Sequence, residues 1–365
     1  MKKIRFIPND KQQGLFVAAL RRNVNEYFKK NGISPKANYT VIIQGAVMFG
    51  LFIAPYLLVV SVDMPFWIAA LMPFVAGVGL AGIGMCIMHG AAHDAFSNRK
   101  WVNKVFGASM HLLGNSVVTW KLQHNLLHHT YTNISGFDRD IDTKGMIRLS
   151  EREPLLKAHR YQHIHAFFAY GLMTLSMMVK DFSQLMDYHR QGILEKQKFS
   201  FRKELAKMIL TKITHLSIFI GLPIVLTDYT WWQVILGWLI MHWTGGIILS
   251  VIFQLAHVVD GVHQPVPSDE GVIACDWAVH ELMTTANFAR KNLFLQWYLG
   301  GLNFQIEHHL FPNICHIHYP KIAPIVERTA KEYGYPYVVN ETLWDALKSH
   351  ARKLRQLGKV APVMG

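Results

Sequence analysis

The sequence predicts an all-α integral membrane fold: four transmembrane helices in two hairpins, with a cytosolic helical cap that carries clustered histidines. Three observations lead there. Hydrophobic residues fill 51% of the 365 positions, and four stretches stay apolar for the roughly 20 residues that a helix needs to cross a bilayer. The formal net charge is +13, and much of that excess precedes the first apolar stretch. Histidines gather in tight groups just outside the ends of those stretches.

Residues 1–38 form a basic N-terminal segment with Lys2, Lys3, Arg5, Lys11, Arg21, Arg22, Lys29, Lys30 and Lys36. It lacks the early apolar core of a cleavable signal peptide, and its charge puts it in the cytosol. The first two spans lie near 39–60 and 65–88, joined by the tight Ser61–Met64 turn. The second two lie near 207–226 and 232–256, joined through residues 227–231. Each pair reads as a hairpin, with Trp67 at one link and Tyr229, Trp231 and Trp232 at the other as interfacial anchors. The long segment from Met88 to Ala206 and the C-terminal third then share the cytosolic side with the N-terminus. Within that segment, 105–118 and 166–179 are too short to span and read as helices at the interface or buried among the others. With no repeat or low-complexity linker, residues 39–365 read as one membrane domain.

Three cysteines, Cys86, Cys275 and Cys315, are odd in number and lack metal-type spacing, so no disulfide framework is expected. The basic balance could suit nucleic acid, but no recognition motif is present, and the positive-inside rule accounts for the excess. A basic cytosolic face would also attract an acidic redox carrier or an anionic headgroup.

The histidines carry the chemistry. His89 and His93 are four apart at the end of the second span, so they share a helix face. His124 and His128 repeat that spacing, with His129 beside them. Gln305, His308 and His309 follow an i, i+3, i+4 pattern, and His257 ends the fourth span. A lone histidine at a membrane edge is usually a satisfied hydrogen bonder, but three clusters at one depth argue against that reading. Eight imidazoles exceed the needs of one structural zinc and suit two ions. Iron fits if the task is oxygen activation, because zinc has no redox chemistry to offer. Ligated imidazoles need acceptors behind them, and Asp94, Glu307 and Asp260 lie nearest in sequence.

Other motifs are discounted. Gly77-x-Gly79-x-x-Gly82 matches a dinucleotide fingerprint but sits inside an apolar span, where small-residue helix packing explains it better. Asp138-x-Asp140-x-Asp142 mimics the start of a calcium loop without its later Gly and Glu. His159, His163, His165, His316 and His318 read as surface or packing residues.

Around the clusters the sequence reads Trp120-Lys-Leu-Gln-His124-Asn-Leu-Leu-His128-His129-Thr-Tyr-Thr-Asn133 and Gly300-Gly-Leu-Asn-Phe-Gln305-Ile-Glu-His308-His309-Leu-Phe-Pro312. These stretches resemble the membrane fatty-acid desaturases, in particular the front-end, Δ6-type bacterial branch of linoleoyl-CoA and acyl-lipid enzymes. Asn313 to Pro320 and Asp276 to Asn287 look like the same branch, and the resemblance runs from about Asn23 to Ala351. It implies a di-iron site under a helical cap, with His89, His93, His124, His128, His129, His257, His308 and His309 as ligands. Gln305 stands where related enzymes place another histidine, and would bind metal directly or through water. The sequence departs from the family in three places. The first box, His-Gly-Ala-Ala-His, has no acidic residue after its first histidine. Gly136-Phe137-Asp138 replaces a common Gly-His-Asp. The haem motif of a fused cytochrome b5 is absent, so electrons are expected from a separate carrier, ferredoxin or free cytochrome b5.

The implied activity is O2-dependent insertion of a cis double bond into a fatty acyl chain, carried on coenzyme A or a lipid, with Δ6 the position the resemblance favours. A multi-pass protein of a bacterial inner membrane, with both termini and the active site cytosolic, is expected. A di-iron lipid hydroxylase is the alternative. A histidine-rich metal transporter fits less well, because its ligands should line a path across the membrane.

Overall fold

The computed structural model describes residues 4–361, which leaves Lys2 and Lys3 of the basic segment outside the described residues. It is mainly helical. Helix α1 (Lys11–Asn31) is capped by the Asp10 carboxylate, which accepts from the Gln13 amide, and ends at Gly32 in the left-handed region. Four further helices are long and apolar enough to cross a membrane: α2 (Tyr39–Ser61), α3 (Phe66–Ala92), α8 (Phe201–Leu226) and α9 (Trp231–His257). Helix α8 starts six residues before the expected 207, because Lys203, Glu204 and Lys207 interrupt the hydropathy without interrupting the helix.

The glycines at 77, 79 and 82 do what small-residue packing requires. A Cβ on Gly77 would meet the Met241 carbonyl of α9 at 2.6 Å, while Cβ atoms on Gly79 and Gly82 would collide with Phe52 and Met48 of α2. Helix α3 is thus wedged between α2 and α9 at near-backbone contact.

Between α3 and α8 run α4 (Lys100–Gly107), α5 (residues 117–131), α6 (Gln162–Tyr170) and α7 (Met173–Arg190). The two short helices expected at 105–118 and 166–179 are both broken. Gly114, at φ +79°, turns the chain between α4 and α5. Gly171 separates α6 from α7, where its carbonyl lies against Gly246 of α9, leaving no room for a side chain on either. Asp181 of α7 then caps α5: its carboxylate accepts from the Ser116 amide (2.9 Å), the Thr119 hydroxyl (2.5 Å) and the Lys212 ammonium of α8 (2.8 Å).

After α9 come α10 (Trp277–Thr284), α11 (Gln305–Leu310), α12 (Tyr319–Glu332) and α13 (Leu343–Leu357). Phe16, Leu20, Val24 and Phe28 of α1, at helical spacing, pack with Ile322, Ala323, Val326 and Ala330 of α12 in a second apolar core. The all-α expectation needs one amendment. Two short parallel pairs occur, β1 (Arg5–Phe6) with β2 (Val272–Ile273) and β3 (Ala286–Phe288) with β4 (Val338–Asn340). Each joins segments far apart in sequence and pins the termini over the helix ends. Arg148, fully buried, donates to the backbone carbonyls of Glu151, Glu153, Leu357 and Val360, tying the central segment to the end of α13.

Candidate metal centre

Helix α3 delivers the first histidines through a wide, π-helical turn at Ile83–Met88, after which His89 opens a last helical turn and His93 closes it. Helix α5 has a second π-helical stretch at Leu122–His128. Such turns accumulate at functional sites because they re-aim side chains that a regular helix would stagger. His257 is the last residue of α9, and the six-residue α11 carries Gln305, His308 and His309.

All nine residues are buried, and the eight histidines converge. The ring nitrogens of His89, His93, His124 and His308 form one group within 4.8 Å of one another; those of His128, His257 and His309 form a second. The Nε2 atoms of His89 and His124 stand 2.9 Å apart. His129 lies between the groups: its Nε2 is 3.3 Å from that of His124, and its ring stacks on His309. His124 and His128 keep a shared face, their rings stacked at 5.1 Å with Asp140 beside both, yet they fall in different groups, as do His308 and His309, so α5 and α11 each serve both.

The outer nitrogens are held. His128 Nδ1 donates to Asp138 at 3.1 Å, His124 Nδ1 to Asp140 at 3.2 Å, and His309 Nδ1 to Glu281 of α10 at 2.7 Å. His257 Nδ1 donates to the Thr284 carbonyl at 3.2 Å, and His308 Nδ1 pairs with the Tyr319 hydroxyl at 3.3 Å. The inner nitrogens are not: Nε2 of His93, His128, His257, His308 and His309, and the Gln305 amide nitrogen, are buried without a partner. Unpaired buried polar atoms are costly, and converging lone pairs, with carboxyl groups behind the rings of His124, His128 and His309, suit a cation. The donor set fits a metal site.

These anchors differ from the expected ones. Asp94 is exposed, and its backbone carbonyl accepts from Lys36. Asp260 pairs with Arg352. Glu307 turns away from the histidines to Asn287 (2.8 Å) and Tyr337 (2.7 Å). Asp138 and Asp140, set aside as a calcium mimic, are the supporting carboxylates. Asp138 is itself clamped by the amides of Asn133 and Asp140. Phe137 packs on Tyr131, away from the histidines. Asn133 was quoted only as part of a motif. It reaches the carbonyls of His257, His263 and Thr284, locking the loop after α5 to the ends of α9 and α10.

Burial holds His93, His124, His129, His308 and His309 well below the ordinary imidazole range, so they stay neutral. His128 is the exception. Burial acts to lower it, but Asp138 and Asp140 together carry it up to about 9. Burial also raises the Glu281 carboxyl well above its usual value.

A small cavity of about 10 Å³ touches His89, His93 and His308, and is also lined by His316 and Tyr319. His316, expected to be a packing residue, is buried there with its Nε2 2.9 Å from the Gln44 side-chain oxygen. A larger apolar cavity of about 140 Å³ lies among α2, α3, α8 and α9, lined by residues such as Tyr56, Phe219 and Trp238. Its lining on α9 reaches no nearer His257 than Met241, some 24 Å along the helix, and it contains no histidine. It is not the reaction site.

Comparison with known proteins agrees with this geometry. Residues 65–340 match the profile of the family described as fatty acid desaturase. The chain is 34% identical over 342 residues to the sn-1 linoleoyl-lipid 6-desaturase of Arthrospira platensis, covering 94% of this chain and 92% of that protein. It is 32% identical to the sn-1 linoleoyl-lipid 6-desaturase of Synechocystis sp., over 95% of this chain and 96% of the relative. To the acyl-lipid (8-3)-desaturase of Physcomitrium patens it is also 32% identical, over 94% of this chain and 72% of the relative. The chain belongs to the fatty acid desaturase family and is a fatty acyl desaturase.

Proposed function

We propose that this desaturase is a front-end enzyme of Δ6 type, acting on acyl groups of a membrane lipid, with two iron ions held by His89, His93, His124, His128, His129, His257, His308 and His309. The observation that carries the reading is the pair of adjacent, buried groups of imidazole nitrogens, in which the Nε2 atoms of His93, His128, His257, His308 and His309 lack partners while the Nδ1 atoms of His124, His128, His257, His308 and His309 are held. Gln305, buried with its amide nitrogen unpaired, stands beside them as a direct or water-linked contact. The printed names of the cyanobacterial relatives support the bond position and the lipid carrier.

Bound iron supplies the oxygen-activating redox chemistry that removing hydrogen from an unactivated methylene needs and side chains lack. The chain's own residues do the rest. Asp138, Asp140, Glu281 and the Thr284 carbonyl fix the ring orientations, presenting each Nε2 inward. Burial keeps bulk solvent from the site, and the neutral state of most rings keeps their lone pairs available. The cavity beside His89, His93 and His308, about the size of one water molecule, leaves room for a small ligand next to those rings.

The four apolar helices form two hairpins across a bacterial inner membrane, with the histidine ends of α3 and α9 on the cytosolic side, as the exposed Arg21, Arg22, Lys29 and Lys30 of α1 favour. The basic surface suits an acidic electron carrier such as ferredoxin or a free cytochrome b5. The test is fatty-acid analysis of a bacterial host that expresses the chain and is fed linoleate. A new bond between the carboxyl group and the existing bonds is expected. A product heavier by one oxygen would instead make the enzyme a hydroxylase.

A further inference from the structure

The two groups of histidines are not supported alike. In the second group, His128 rests on the fully buried Asp138 and His309 on the fully buried Glu281, with the Thr284 carbonyl behind His257. In the first, His308 rests on a neutral tyrosine hydroxyl, and His124 on Asp140, which is a quarter exposed and also bonded to Gln123. The cavity at the site touches three members of the first group and none of His128, His257 or His309.

A buried carboxylate behind an imidazole raises its basicity as a ligand, and losing such a partner costs about 10–100-fold in metal affinity. Open space beside a ligand set is where a further, exogenous ligand can bind. We infer that the two metal positions are functionally unequal: the His128, His257 and His309 position is the tight, closed one, and the His89, His93, His124 and His308 position is the weaker one, open to an exogenous ligand. The division of labour is written into α5 and α11, whose neighbouring histidines serve opposite positions. It rests on the two-ion reading above and refines it.

The test uses purified full-length protein, stripped of metal and titrated anaerobically with Fe(II) labelled for Mössbauer spectroscopy, with nitric oxide as a paramagnetic probe of open coordination. Two equivalents should bind in separate steps, with the first giving one quadrupole doublet and little nitrosyl signal. The second should add a distinct doublet together with most of the nitrosyl signal. Glu281→Gln should weaken the first step by about 10–100-fold and leave the second within a few-fold. Tyr319→Phe should leave the first step unchanged. Simultaneous binding of both equivalents with one doublet would overturn the inference, and so would full nitrosyl signal at the first equivalent. Those wild-type outcomes do not depend on how any variant folds. Failure of the wild-type protein to bind two irons would instead overturn the two-ion reading itself.

Discussion

Removing the Asp181 carboxylate should destabilise the protein far more than removing it together with Lys212. Asp181 is buried and accepts three hydrogen bonds: two from the start of α5, which carries three of the site's residues within 117–131, and one from Lys212 of an apolar helix. Asp181→Ala leaves the Ser116 amide without its acceptor, the Thr119 hydroxyl with only the Ser116 carbonyl, and the buried Lys212 ammonium with only the Gly114 carbonyl and no counter-charge. A broken buried pair costs about 3–5 kcal/mol. Lys212→Met strands the carboxylate but keeps its two neutral donors, so its cost should be smaller, about 2–3 kcal/mol. The double variant buries no charge and leaves only neutral donors unpaired, at about 1–3 kcal/mol. The double-mutant cycle should therefore give a coupling of about 2 kcal/mol or more. Thermal unfolding in detergent, followed by tryptophan fluorescence, reads this out. Additive losses, with the double variant the least stable of the three, would refute the assignment of Asp181 as a charged anchor of α5.

Three further outcomes follow from the same structure. Gly79→Ala should impair folding and yield in the membrane, whereas Gly50→Ala, which meets nothing within 4 Å, should be neutral; expression and unfolding of the two variants compare them directly. Arg148→Met should cost about 3–5 kcal/mol in the same unfolding assay, since it leaves four carbonyls without a donor, and Arg148→Lys should recover only part of it. For pH, the raised value of His128 fixes the sign. In the metal-free protein its protonated ring stabilises the fold fully below the ordinary imidazole value, and that contribution fades as pH rises through about 9. Iron at Nε2 must displace that proton, so iron affinity should climb from pH 6.5 towards 9, and Asp138→Asn should flatten the climb. Anaerobic iron titrations at several pH values would measure it.

Much of this was legible in the sequence, for physical reasons. Twenty apolar residues specify a span locally, so all four apolar helices match their expected ranges to within a turn or two. The histidine boxes are short-range patterns, and seven of the histidines they nominated, with His257 among them, meet in the buried clusters. The supporting carboxylates were not legible, because sequence adjacency was the wrong guide. Asp94 and Glu307 adjoin histidines but point elsewhere, while Glu281 reaches His309 only because α10 and α11 pack together. Asp138 and Asp140 carried a usable signal: alternating acids in a short loop just after a histidine helix can fold back onto it. The π-helical turns, which divide His124 from His128, leave no mark that period-counting detects. The hydrogen bond of His316 was not legible, because its partner, Gln44, lies 272 residues away.

The most direct test of the central claim is iron content measured alongside product formation, in purified wild-type protein and in His308→Ala, with His165→Ala as a control outside the site. The account predicts about two irons per chain and a newly desaturated acyl product for wild type and His165→Ala. It predicts lost iron and no product for a folded His308→Ala. Full turnover by His308→Ala, or by wild-type protein stripped of iron, would contradict it.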